Sequence, residues 1–127
     1  MDSTEPSPSW DAAAHSEVVD AFEVAVGEVT YRVWGADWCG DCHDTLPDFF
    51  AALEAAGVPD DEVSVHEVDE DKQGERVDDY EVTLIPTIVA EREVDGESRI
   101  VARFEESEDR PAAEYVAEKL LDADVLA

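Results

Sequence analysis

The chain's only two cysteines fall together in Trp38-Cys39-Gly40-Asp41-Cys42, and what flanks them constrains the fold. Before them runs Val29-Thr30-Tyr31-Arg32-Val33-Trp34, alternating and rich in β-branched and aromatic residues, which predicts a strand over 29–35. After them Leu46, Phe49, Phe50 and Leu53 recur at helical spacing, which predicts a helix. The dithiol is therefore expected where a strand passes into the first turn of a helix.

That position has chemical consequences. The first helical turn presents unpaired N–H groups and the positive end of the dipole, both of which stabilise an anion. A thiolate on Cys39 is such an anion, and the thiolate is the attacking species in disulfide exchange. Residues three apart on a helical turn are close enough for Cys39 and Cys42 to form a disulfide. Gly40 leaves the approach to Cys39 unobstructed. Asp41 acts in the opposite sense, because a neighbouring carboxylate disfavours a thiolate.

Other uses of two cysteines fit less well. A closed zinc site needs four ligands, and the three histidines, His15, His43 and His66, show no paired spacing. An iron–sulfur cluster held by one chain would need further cysteines. Two structural thiols remain an alternative, but Cys-x-x-Cys beside a strand–helix pattern points to redox chemistry. No metal and no organic cofactor is expected.

Ala36-Asp37-Trp38-Cys39-Gly40-Asp41-Cys42, followed by Pro47, resembles the active site of the thioredoxin family. Leu84-Ile85-Pro86-Thr87 is similar to the segment whose cis proline lies against the dithiol in that family. The two marks cover about residues 27–121. The resemblance implies an α/β thioredoxin fold, a mixed central sheet with helices on both faces. It also implies Cys39 as nucleophile, Cys42 as resolving thiol, and Trp38, Ile85 and Pro86 as the surface against which substrate lies. Gly40 and Asp41 complete the expected site. Two departures stand out: Asp41 replaces the proline familiar between the cysteines, and Val33 stands where the family carries a buried aspartate.

A chain of 127 residues with 44% apolar content suits one domain with one core. Residues 1–9 are polar and proline-broken and read as a disordered acidic tail, leaving 10–127 as the domain. Thirty-five acidic residues oppose eight basic ones, for a net charge of −27. Nucleic acid and anionic membranes are bound through Lys and Arg, so neither is an expected partner. The acids are spread along the chain rather than collected in a tail. Self-repulsion on that scale is relieved at molar salt, and the pattern resembles proteins of salt-loving archaea; an ordinary acidic protein is the alternative. No signal peptide and no membrane-spanning run is seen, so a cytoplasmic location is expected; the chain is also expected to be a monomer.

Along the chain, Ala14, Val18, Ala21, Phe22 and Ala25 share one helical face from about Trp10. Phe22 to Val26 also alternates and admits a hairpin, but helix is preferred. His15 reads as a solvated helix residue. The active-site helix should run to about Ala56, where Gly57 and Pro59 stop it, with Pro47 inside it as a kink. Phe49, Phe50 and Trp34 read as core. Glu62 to Val68 alternates, a strand with Val63, Val65 and Val68 inward and His66 exposed. A short helix is expected near Gln73–Asp79. Thr87–Ala90 and Arg99–Phe104 read as strands around an Asp95-Gly96 turn. A last helix opens at Glu108-Asp109-Arg110-Pro111 and buries Ala113, Val116, Ala117, Leu120 and Leu121.

The expected function is reduction of disulfides in protein substrates. Re-reduction would come from a thioredoxin-reductase-type electron donor. A redox-inert interaction module of the same fold is the alternative.

Overall fold

The computed structural model describes residues 5–8, 10–36, 39–69, 73–74, 76–105 and 111–122. Helix α1 (Ser16–Ala25) follows a 3-10 turn at Ala13–His15 and leads into strand β1 (Thr30–Gly35). Helix α2 (Gly40–Ala56), strand β2 (Val63–Glu67), strands β3 (Thr87–Val94) and β4 (Glu97–Glu105), and helix α3 (Ala112–Asp122) complete the order. The sheet runs β2-β1-β3-β4. β1 and β2 are parallel, joined through α2, whereas β1–β3 and β3–β4 are antiparallel. This is the mixed sheet expected.

Local chemistry accounts for the ends of these elements. Gly57 takes φ 76° and closes α2 with its N–H on the Glu54 and Leu53 carbonyls, the left-handed stop a glycine makes without a Cβ penalty. Asp95 and Gly96 both have positive φ, 54° and 83°, as a two-residue hairpin between right-twisted strands demands. Residues 22–25 are helical, settling the helix-or-hairpin choice for them. Ser7, within the segment read as a tail, donates its N–H to the Pro47 carbonyl at 3.0 Å.

One face of the sheet carries Tyr31, Val33, Ile88 and Phe104, aligned by strand register. Phe22 of α1, Tyr31 of β1 and Phe49 of α2 meet edge to face, with ring centroids 5.8–6.1 Å apart, a favoured aromatic geometry. Tyr115 of α3 meets Phe104 the same way. The three helices of the described residues therefore pack on this one face rather than on both, and Ala113, Val116, Ala117 and Leu120 of α3 are buried as expected. The Leu121 side chain and residues 106–110, the expected start of that helix, lie outside the described residues.

The opposite face carries Arg32, Trp34, His66, Val89 and Glu91. Its cover departs from expectation. Among the described residues 73–74 and 76–81 the short helix read near Gln73–Asp79 does not form: residues 76–81 form turns, with Arg76 and Glu81 at positive φ. A Cβ on Gly74 would sit 2.7 Å from the Glu67 carbonyl oxygen, so the chain presses against the end of β2 there. Tyr80 of this segment lies against Trp34, and Trp34 stacks on His66 at 5.0 Å. His66 is consequently buried, not exposed, because the face it shares with Trp34 is closed over.

Smaller corrections follow from the same geometry. Val65 is 43% exposed because β2 is an edge strand of the described sheet, while Val68 is buried. Ala14 is exposed: it lies in the 3-10 turn, where a 3.6-residue period no longer applies. His15 is half-buried and stacks on Trp10 at 4.8 Å. Phe49 is buried and Phe50 partly so.

Candidate active site

β1 delivers the chain to the edge of the helix layer, and Cys39 becomes the N-cap of α2 in extended conformation (φ −93°, ψ 113°). Its sulfur accepts the backbone N–H of Cys42 at 3.2 Å. An N-cap side chain ordinarily contributes an oxygen to one of the first free amides of a helix; here a thiol sulfur fills that place. The Cys39 carbonyl in turn accepts the His43 N–H at 3.3 Å, the first bond of the helix ladder. Both cysteines carry free thiols. Cys39 is 7% exposed and Cys42 fully buried.

Ile85 and Pro86 reach the site from the start of β3. The Ile85–Pro86 peptide is cis. The Ile85 carbonyl lies 3.8 Å from the Cys39 sulfur, within hydrogen-bonding range of its thiol. Thr87 closes the turn behind them, its hydroxyl donating to the Leu84 carbonyl. Sequence-distant segments thus bring Cys39, Cys42, Ile85 and Pro86 together. A Cβ on Gly40 would meet nothing within 4 Å, so the first turn of α2 is open on that side. Trp38 and the Asp41 side chain lie outside the described residues. Val33 is fully buried and pairs with Ile88, placing hydrocarbon where the family resemblance led one to look for a carboxylate.

A polar cluster that sequence reasoning missed lies on the opposite face of the sheet. Glu91 accepts from Arg32 Nε (2.7 Å), from Tyr80 Oη (2.7 Å) and from Ser98 Oγ (2.7 Å). Burial alone would raise its pKa, but these bonds and the Arg32 charge hold it below the ordinary carboxylate value. Arg32 also lies 5.5 Å from the centroid of the Tyr80 ring and donates to His66 Nε2 at 3.3 Å. Burial, then the Glu91 bond, raises the Tyr80 hydroxyl. The available signal was Arg32 itself: a cation in an otherwise apolar central strand needs a buried partner.

A family model described as thioredoxin matches residues 12–113. The chain belongs to the thioredoxin family. Solved thioredoxins share its fold at low sequence identity. A thioredoxin from Thermus thermophilus aligns at TM-score 0.55 and 20% identity, covering 97% of this chain and 88% of its own. One from Trichomonas vaginalis aligns at 0.53 and 20%, covering 85% and 89%. No curated protein is matched by the sequence. Thiol–disulfide exchange is the chemistry this family membership supports for the Cys39–Cys42 pair. Among the described residues no group of three or more candidate ligands is placed to hold a metal, and no helix is long and apolar enough to cross a membrane.

Proposed function

We propose that this thioredoxin-family chain reduces disulfides in other proteins. The observation that supports the reading is the Cys39 sulfur capping α2, with the Cys42 N–H on one side and the Ile85 carbonyl on the other. A thiolate there keeps an N–H donor and the positive end of a helix. Cys39 attacks one sulfur of the substrate disulfide, forming a mixed disulfide and releasing the other sulfur as a thiolate. Cys42, deprotonated, then attacks the Cys39 sulfur. The second substrate thiol leaves, two electrons have passed to the substrate, and Cys39–Cys42 is a disulfide. Trp38, Ile85 and Pro86 form the docking surface, with Gly40 and Asp41 flanking the nucleophile.

The oxidised pair is returned to the dithiol by a thioredoxin-reductase-type donor. The protein works as a cytoplasmic monomer without cofactor, in the high-salt interior of a salt-loving archaeon. Insulin-disulfide reduction with dithiothreitol in molar potassium chloride tests the central claim. Acceleration over dithiothreitol alone is expected, and loss of it in Cys39→Ser. No acceleration by the unaltered chain would leave an interaction module of the same fold as the better reading.

A further inference from the structure

The segment that carries Ile85 and Pro86 is fastened from behind. Eight basic residues serve the whole chain, and two arginines are spent on one short stretch. Arg32 of β1 holds Glu91 of β3, and Glu91 accepts the Tyr80 hydroxyl. Arg103 of β4 donates to the Tyr80 carbonyl at 2.7 Å and the Glu81 carbonyl at 3.2 Å. Val82 then closes the turn with its N–H on the Val77 carbonyl at 3.0 Å. Val82, Ile85 and Pro86 follow, all buried.

We propose that Glu91, acting through Tyr80, is a positioning residue that sets the Ile85–Pro86 segment against Cys39 for an extended peptide disulfide. The inference rests on the oxidoreductase reading above. Glu91 touches neither cysteine. Its carboxylate fixes Tyr80 from the side-chain end while Arg103 fixes the same residue by its backbone, so the chain enters residue 82 with little freedom. A backbone that pairs with an extended substrate must be held in place before the substrate arrives, or binding must order it. A small disulfide that needs only the Cys39 sulfur does not draw on that order.

The test compares oxidation of the fully reduced chain by two disulfides, a cystine peptide with extended flanks and bis(2-hydroxyethyl) disulfide, by acid quench and thiol alkylation. Tyr80→Phe and Glu91→Gln should slow the peptide about threefold to tenfold more than the small disulfide, a part of the more than tenfold to which one lost hydrogen bond to a charged group corresponds. Ser98→Ala removes a bond to the same carboxylate from the β4 side, and should leave that ratio unchanged. Thermal unfolding verifies that each variant is folded; if Glu91→Gln is not, Tyr80→Phe decides. Equal slowing of both disulfides, no slowing, or the same ratio change in Ser98→Ala overturns the positioning role. An unaltered chain inert toward both disulfides overturns the oxidoreductase reading and this inference together. Reaction with both, at ratios the variants do not alter, overturns this inference alone.

Discussion

The backbone N–H of Cys42 donates to the sulfur of Cys39 at 3.2 Å, so the second cysteine helps hold the first as the cap of its own helix. The relationship is asymmetric. Cys39 stands before the helix and retains some exposure, whereas Cys42 is one turn in and fully buried. Of the two, only the former presents any surface to an incoming disulfide sulfur.

That asymmetry favours Cys39 as the attacking thiol of the proposed reaction. Cys42→Ser is expected to accumulate a mixed disulfide between Cys39 and substrate, because nothing remains to resolve it. Cys39→Ser is expected to accumulate none. Non-reducing electrophoresis after mixing with a cystine protein reads the outcome. Trapping by Cys39→Ser instead would reverse the two roles.

Which parts were legible follows from the distance over which the determining contacts act. The strand–Cys-x-x-Cys–helix junction, the Gly57 stop and the Asp95-Gly96 turn are each fixed by residues within a few positions, and sequence reading places them correctly. His66 is misjudged because its burial depends on Tyr80 folding across Trp34, a contact between segments that no local period encodes. The described residues between 73 and 79 form no helix because Gly74 is pressed on β2 and Arg76 takes positive φ. The Arg32–Glu91 pair spans 59 positions. Only the oddity of an arginine inside strand β1 hinted at it.

Glu91 makes stability depend on acid. Its folded pKa lies below the ordinary carboxylate value, so in acid the unfolded chain binds its proton first. The stabilisation is complete above the ordinary carboxylate range and is lost as pH falls through the lower, folded value. Glu91→Gln should cost about 1.5–3 kcal/mol near neutrality, the worth of a hydrogen bond to a charged group. It should also flatten the decline between neutral and strongly acidic pH. Urea midpoints of both proteins across that range are the measurement, and parallel curves would remove the role given to the carboxylate.

Net charge −27 predicts stability that rises with salt. The Debye length is about 10 Å in 0.1 M salt and about 3 Å at 1 M, so repulsion among neighbouring carboxylates is largely quenched at the higher value. Since 1 kcal/mol moves the midpoint of a domain this size by roughly 3–6 °C, relief of several kcal/mol should raise it by about 10 °C or more. Thermal scans in 0.1 M and 2 M potassium chloride measure the difference. A midpoint indifferent to salt would remove the high-salt reading.

Tyr31 poses the last question, because its ring and its hydroxyl have opposite effects on stability. The ring is 1% exposed and meets Phe22 and Phe49 edge to face, contacts that phenylalanine would keep. The hydroxyl is buried and finds no hydrogen-bond partner among the described residues. Such a group costs about 1–3 kcal/mol relative to one left in water. Tyr31→Phe is therefore expected to stabilise the protein at neutral pH by about 1 kcal/mol or more. Burial, with the Glu62 charge adding to it, also pushes the phenol pKa up. The unfolded chain accordingly loses this proton first, and stability declines as pH rises above about 10, the ordinary tyrosine value. The contribution is fully present below that value, and Tyr31→Phe should remove this part of the alkaline decline. Urea unfolding at pH 7 and pH 11 in molar potassium chloride separates the two effects. A destabilised variant at pH 7 would show that the hydroxyl is satisfied in solution, and an unchanged decline at pH 11 would show that Tyr31 ionises as freely folded as unfolded.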